Sequence, residues 1–509
     1  MKKKILIIIL LAAGAIPVKS QKDFNYDSLS TFRILQTGLE ANYNIKIKKQ
    51  VVSESQGQLM SIKGMFNPQL SLSTYGFSGA DPTVTFQNSY SLNGQILVPT
   101  RFGMKFYTGF KLSTETEILP GIPGQYYTTN MPVNASGMWA GVSMPLMRDL
   151  GRNNSKNVMF LSTLMMNKAQ NVAFTDEICL FIKRNLTAYY NTYESVKVFK
   201  ILRDADKDAH QYLSYIATMI DEEQLPKTES YRATAYQLNI AQQLSLAKNE
   251  ITNSFFDLIT SVGSKGEKAP NTLPVFLDSL PDPASFPWIR YAAYVLKNVD
   301  SLVNNTPYLI SQELATSSTR IAMDGAKYNK LNELNLDLRY MYFGTTGYQP
   351  FSDFMQTFSS SSPGSSLTFT LSYTLPFKNE ERKGDYLTKL SSYELSKTQL
   401  EKVKFESKMQ VIKLLSDLGH LIPLFNNQVE LADVEKQTFQ SEVEKFKIGV
   451  STQIDMINTY MDFNNALLNL ESGRLAIMTR IIELKYLIGD FPVSTDQLVS
   501  YKPWDFSIK

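Results

Sequence analysis

The chain has a single cysteine, Cys179, and two histidines, His210 and His420. One thiol excludes a disulfide framework, so burial has to hold the fold together. A lipid-anchored export signal needs a cysteine directly after its cleavage point, and Cys179 lies far from any such point, which excludes lipidation. Two histidines so far apart in sequence leave little material for a metal centre or for His-based acid–base chemistry. Beyond residues 1–20, no apolar run approaches the roughly 20 residues that a membrane-spanning helix requires. Charge of either sign is also not in excess, with 51 Lys and Arg against 48 Asp and Glu, so nothing points to nucleic acid as a partner.

What is present begins at the N-terminus. Lys2, Lys3 and Lys4 precede an apolar run from Ile5 to Val18, and Lys19-Ser20-Gln21 follows. A basic start, a short apolar stretch and Val18 and Ser20 at the −3 and −1 positions of a cut predict a signal peptide over residues 1–20. The alternative, a membrane anchor, is disfavoured because the run is shorter than a span. Cleavage removes Lys2, Lys3, Lys4 and Lys19 and leaves an almost neutral exported chain, placed in the periplasm, in the outer membrane or outside the cell.

The exported part reads as a duplication. Leu161-Ser162-Thr163 with Lys168-Ala169-Gln170 recurs as Leu390-Ser391-Ser392 with Lys397-Thr398-Gln399, all at an offset of 229. Leu258 and Gly263 recur as Leu484 and Gly489 at an offset of 226, and Glu229 and Asp455 share that offset. Pro145-Leu146 and Pro376-Phe377 close strand-like segments 231 apart. Landmarks kept in one order with slowly drifting offsets predict two tandem repeats, residues 21–263 and 290–489. Between them lies a linker, 264–289, with prolines at 270, 274, 281, 283 and 287, and residues 490–509 form a C-terminal tail.

Each repeat mixes two periodicities. Leu334, Leu336, Leu338, Tyr340 and Tyr342 alternate with more polar residues, as do Leu367, Phe369, Leu371 and Tyr373. Period-two alternation over about nine residues predicts strands long enough for a tilted bilayer crossing. In the first repeat the corresponding strands, within 67–149, are Leu70 to Phe77 and Met138 to Met144. A further hairpin, Ser89 to Thr114 with its turn at Pro99-Thr100-Arg101, exceeds two strands per repeat and is expected to lie outside the wall, at the extracellular end. The rest reads as helix. Proline is absent from about Gly151 to Met219 and from Lys383 to Leu421, and Ile454, Ile457, Leu467, Leu470, Ile477 and Ile481 recur at mixed threes and fours. Helices of this length, about 100 Å at 1.5 Å per residue, have to pack along one another. Pro423, after Gly419, is expected to interrupt and kink the second long helix.

Four membrane strands cannot close a barrel alone, and open edges in hydrocarbon cost several kcal/mol for each unpaired backbone group. Three copies of four strands would give a twelve-stranded barrel. The order helix, strand pair, long helix, turn and returning helix, given twice, resembles the TolC family of outer-membrane efflux proteins over essentially the whole mature chain. The most specific local match is Gly449-Val450-Ser451-Thr452-Gln453-Ile454-Asp455-Met456-Ile457, which is similar to the family's turn at the periplasmic tip. The first-repeat tip departs from that pattern, with Glu223 where glycine is expected and Pro226 opening the next helix.

The resemblance implies an α+β membrane protein, a homotrimer with a twelve-stranded outer-membrane β-barrel continued by a long periplasmic α-helical barrel. It implies a passive exit duct for a tripartite efflux or type I secretion system, with no catalysis, cofactor or metal. Its partners would be outer-membrane lipid, a periplasmic adaptor docking at Gly449 and Val450, and an inner-membrane transporter. Asp455 and Glu229 would gate the pore. The loops Ser78–Asn88, Glu115–Asn134 and Gly344–Ser366 would face outside the cell, and Gly449 would lie deep in the periplasm. Drugs, metal ions and secreted polypeptides all remain open as cargo. A cell-surface structural coiled-coil protein would account for the helices but not for matching strand pairs in both halves. An exported enzyme would have to use Asp221, Glu222, Glu223 and Glu229 as a carboxylate cluster, where helix ends ordinarily carry solvated charge.

Overall fold

The computed structural model describes residues 28–81, 84–118, 131–223, 225–263, 273–278, 282–347 and 363–492, with Tyr501, Trp504 and Phe506. The expected signal peptide, parts of the linker and of all three expected external loops, and most of the C-terminal tail lie outside the described residues.

Ser28–Leu29 (β1) precedes helices Thr31–Ala41 (α1) and Tyr43–Gly64 (α2). Strands Gln69–Asp81 (β2), Val84–Pro99 (β3), Lys105–Ile118 (β4) and Met131–Pro145 (β5) follow, then helices Ser155–Asp221 (α3) and Thr228–Val262 (α4). The second half carries Val275–Phe276 (β6), helices Trp288–Asn304 (α5) and Pro307–Asn329 (α6), strands Glu333–Gly347 (β7) and Pro363–Thr374 (β8), and helices Glu380–Lys447 (α7) and Gln453–Leu487 (α8). Helices α3 and α7 have 67 and 68 residues, and α4 and α8 have 35 each. The expected interruption at Pro423 is absent, since α7 runs through it without a break. A proline ring crowds the turn before it. Here the residue four positions earlier is Gly419, which has open space around it.

The chain divides into two compact units. One comprises Gln50–Val172 and Ile310–Val403; the other comprises Met1–Lys49, Ala173–Leu309 and Lys404–Lys509.

The first unit holds a single antiparallel sheet in the order β2-β3-β4-β5-β7-β8. Its strands run 12 to 16 residues, longer than the alternation alone delimits. Part of the expected loop Ser78–Asn88 is therefore strand, since β2 continues to Asp81 and β3 starts at Val84. The register aligns apolar residues across the whole sheet. Leu70 lies opposite Ile96, Val98 opposite Phe106, and Phe110 opposite Met138. Val142 lies opposite Leu338, and Leu338 opposite Phe369. Because successive side chains alternate, all of these share one face.

This sheet corrects the expectation of four strands per chain. The Ser89–Thr114 hairpin is not set apart from the other strands: β3 and β4 lie within the sheet, between β2 and β5. Its turn is seated on the helices of the same unit. Arg101 places its guanidinium 4.3 Å from the Phe160 ring centroid, and its carbonyl accepts from the Asn154 amide side chain. The Gly151 N–H donates to the Phe102 carbonyl at 2.9 Å. Gly103, at φ +89, has the Asp149 carbonyl so close that any Cβ would collide with it. Phe160 in turn packs with Leu59 and Ile62 of α2. Twelve strands therefore do not follow from three copies of this chain.

The other unit is helical, with β1 and β6 as a short parallel pair. Phe181, Ile182, Leu186, Phe255, Leu258 and Ile481 are among its fully buried side chains. Lys485 is also buried, at 1% exposure. Its ammonium pairs with Asp490 at 3.0 Å and lies 5.8 Å from the ring centroids of Tyr501 and Phe506, which fastens the chain beyond α8.

Asp176 is buried in this unit, and its Oδ1 accepts from the Tyr486 hydroxyl at 3.2 Å. Burial pushes its carboxyl up to about 6, helped by Glu177 and opposed by the Tyr486 hydrogen bond and Lys48. An ordinary aspartate titrates near 4. The folded chain thus holds a proton that the unfolded chain releases, and the associated stability is complete below pH ~4 and lost as pH rises to ~6. Asp176→Asn removes that loss. Urea unfolding followed by helical circular dichroism should show the variant about 3 kcal/mol more stable than the parent at pH 8 and equal to it near pH 4. A variant less stable than the parent at pH 8 would contradict this assignment.

Candidate functional site

Two regions carry the residues that a channel would use, and each lies within one unit. The first is the polar face of the sheet. Ser71 and Ser73 of β2, Asn93 and Gln95 of β3, and Thr370 and Ser372 of β8 all point to the side opposite the apolar face. On that side the Tyr107 hydroxyl donates to Asp337 at 2.7 Å, and the Arg339 guanidinium stacks 4.9 Å from the Trp139 ring centroid. Lys105 and Lys111 lie on the same face as Tyr107 and add positive charge. That face also carries Leu97, Met341 and Phe343, so it is the more polar of the two without being wholly polar.

The second region is the pair of helical turns. Helix α7 ends at Lys447, and Gly449 follows at φ +75, with its N–H donating to the Phe446 carbonyl at 3.0 Å. The Val450 N–H reaches back to the Lys445 carbonyl at 2.9 Å. These bonds satisfy the last carbonyls of the helix, and the left-handed residue between them is ordinarily glycine. Thr452 then caps α8: its hydroxyl oxygen accepts from the Asp455 N–H at 3.2 Å and its hydrogen goes to Asp455 Oδ2 at 2.6 Å. Asp455 is exposed and tied to its own helix end. Ile448 and Val450 are 75% and 72% exposed, an apolar pair facing water. Glu442 accepts from the Ser451 hydroxyl and then from Lys445, and these contacts hold its carboxyl below the usual carboxylate range.

In the first repeat Glu223 occupies the left-handed position that glycine holds in the second, at φ +62. Its N–H donates to Ile220 and the Leu225 N–H to Met219. Glu229 pairs with Arg232 at 3.2 Å and is largely enclosed. The structure joins the two tips: the buried Gln453 donates its Nε2 to the Glu229 backbone carbonyl at 3.1 Å. The first turns of α4 and α8 therefore meet, which the shared offset of Glu229 and Asp455 anticipated only as equivalence. Thr452 and Gln453 fall within the Gly449–Ile457 turn motif, which by itself assigns neither of them a contact. Threonine three residues before an aspartate at a helix start is the signal for the cap; a glutamine buried between helices has no comparable local signature. Just behind the tips, Tyr212, Tyr236, Phe439, Phe446 and Tyr460 line a cavity of about 310 Å³, and the Tyr460 hydroxyl donates to Asp208 at 2.7 Å.

No protein-family model matches the sequence. No curated protein matches it either. Solved structures do. The outer membrane protein VceC of Vibrio cholerae superposes with a TM-score of 0.64 at 8% identity, over 90% of this chain and 96% of that one. The channel CusC gives 0.62 at 12% identity over 93% and 95%. The outer membrane channel CmeC of Campylobacter jejuni gives 0.60 at 12% identity over 90% and 85%. Coverage of 85% or more in both directions, at TM-scores of 0.60 to 0.64, shows that this chain has the fold of the TolC-family outer-membrane channels.

Proposed function

We propose that this chain is one subunit of an outer-membrane exit duct, a homotrimer that passively conducts cargo delivered by an inner-membrane transporter through a periplasmic adaptor. A tripartite efflux pump or a type I secretion system would supply the energy. The observation that carries this reading is the six-stranded sheet, in which every strand places apolar residues on one shared face and β2 and β8 form two outer edges. In hydrocarbon those edges require partners, because each unpaired backbone group costs several kcal/mol. The fold shared with outer-membrane channels supports the location, with the sheet in the outer membrane and the helices in the periplasm. The matched lengths of α3 with α7 and of α4 with α8 favour the tandem-repeat reading.

Within this reading, Gly449 and Val450 form the adaptor-docking tip, and the exposed Ile448 and Val450 supply its apolar contact. Glu229 and Asp455 supply the gate: three copies of each would put six carboxylates near the closed end, and a ring of like charge favours cations. The contacts of Glu229 with Arg232 and of Asp455 with Thr452 hold both carboxylates at the first turns of their helices.

The test is a two-stage measurement on the full-length protein. Detergent extracts of the outer membrane should yield a trimer by mass, and a stable monomer would sink the duct reading. Reconstituted in a planar bilayer, the trimer should prefer small cations and be blocked by multivalent cations from the periplasmic side. Asp455→Asn combined with Glu229→Gln should weaken both properties without lowering trimer yield. Unchanged ion preference in the double variant would assign these carboxylates a purely structural role.

A further inference from the structure

We infer that three copies of this chain close an eighteen-stranded barrel through a seam between β8 of one copy and β2 of the next. The inference rests on the trimer reading above and adds what the sheet itself dictates. Among the described residues each chain contributes six strands to one sheet, with every neighbouring pair hydrogen-bonded. β3 pairs with β2 from Leu97↔Gln69 to Gln87↔Gly79, and with β4 from Phe86↔Ile118 to Pro99↔Lys105. β4 in turn pairs with β5 from Lys105↔Ser143 to Glu117↔Met131. The hairpin is therefore paired along its length on both sides. Removing it from the wall would break both outer ladders and expose their backbone groups to lipid.

Three further observations agree. The apolar face does not lapse at the hairpin: Ile96 and Val98 of β3 and Phe106 and Phe110 of β4 continue the face that Leu70, Met138 and Leu338 occupy elsewhere. The turn is pinned to α3 by Arg101 on Phe160 and to the segment before α3 by the Gly103 approach to Asp149. The edge strands also lack the usual guards. Edges that stay single carry lysine, inward charge, internal proline or strong twist. β2 has no charged residue before Asp81 and no proline, and β8 has no charge and a proline only at its first position. The two edges match in length, at 13 and 12 residues. Since six antiparallel strands make the first and last run in opposite directions, β8 and a neighbouring copy's β2 would meet antiparallel, like every other pair in the sheet.

Width follows from the count. With strands about 4.8 Å apart and tilted by about 40°, eighteen strands enclose a backbone cylinder roughly 36 Å across, against roughly 24 Å for twelve. The cross-section therefore more than doubles at the exit end.

The experiment uses the full-length protein in nanodiscs. Cysteines are placed in pairs on the polar faces of the edges, Ser71→Cys or Ser73→Cys with Thr370→Cys or Ser372→Cys, and oxidised with a soluble reagent. In parallel, the cysteine-free parent trimer (Cys179→Ser) is imaged to measure its barrel. At least one pair should convert the protein to covalently linked trimers in denaturing gels, and the barrel should measure close to 36 Å. A trimer with a barrel near 24 Å and the hairpin outside the wall would overturn the inference while leaving the duct reading intact. A closed dimer, in which two such sheets make twelve strands, would overturn the inference and the trimer together. A monomer would remove the duct reading itself.

Discussion

Leu338→Arg is expected to keep the protein out of the outer membrane, whereas Thr370→Arg, one strand away on the opposite face, is expected to leave assembly intact. Leu338 lies opposite Val142 on one side and Phe369 on the other, in the middle of the apolar face. An arginine at the lipid midplane costs about 2–4 kcal/mol in a transmembrane β-barrel, and in a trimer that penalty is taken three times. Thr370 lies opposite Asp337 on the polar face, beside Arg339 and the Tyr107 hydrogen bond. A guanidinium there has a carboxylate for a partner and water around it. The measurement is membrane fractionation with trimer yield. Leu338→Arg should reduce trimer in the outer membrane at least tenfold, with Thr370→Arg within twofold of the parent. Equal yields, or the reverse order, would mean that the apolar face does not meet lipid.

Gly449→Trp is expected to abolish export while trimers persist. Gly449 sits at φ +75, where an L side chain is strained by roughly 1–2 kcal/mol, and nothing lies within 4 Å of the position its Cβ would take. The cost is therefore local to the turn, and the bulk projects outward beside Ile448 and Val450 instead of into a core. Neither the sheet nor the buried contacts of α7 and α8 depend on this side chain. Export by cells carrying the variant, set against trimer yield in the same cells, separates docking from folding. Normal export would remove the tip from the docking surface. The corresponding change at Glu223 should be milder, because that position already carries a side chain at φ +62. Loss of export from Glu223→Trp as complete as from Gly449→Trp would show that both tips dock alike.

The parts of this protein that were legible in its sequence are those governed by local periodicity. Long proline-free stretches became α3 and α7, apolar residues at threes and fours from Ile454 to Ile481 became α8, and the alternation at Leu334–Tyr342 became β7. The turn at Gly449 was legible because glycine takes a left-handed backbone position without steric cost, although Glu223 fills the equivalent position in the first repeat. The alternation at Tyr90–Val98 and Phe106–Leu112 was equally visible, yet it could not say where that hairpin would go. Period two specifies that a segment has two faces; it does not specify which other segment completes its backbone hydrogen bonds. That choice was made by contacts distant in sequence: Arg101 on Phe160, Asn154 on the Arg101 carbonyl, and the ladder partners on β2 and β5. The same division holds at the tips. Sequence alone made Glu229 and Asp455 equivalent by their shared offset, and only the packing of α4 against α8, with Gln453 reaching the Glu229 carbonyl, brought their helix ends together. Local pattern determined which elements form, because backbone geometry and side-chain period act within a few residues. Tertiary structure decided which elements are neighbours, and so the number of strands in the sheet, because backbone hydrogen-bond satisfaction and ring contacts act across the whole chain.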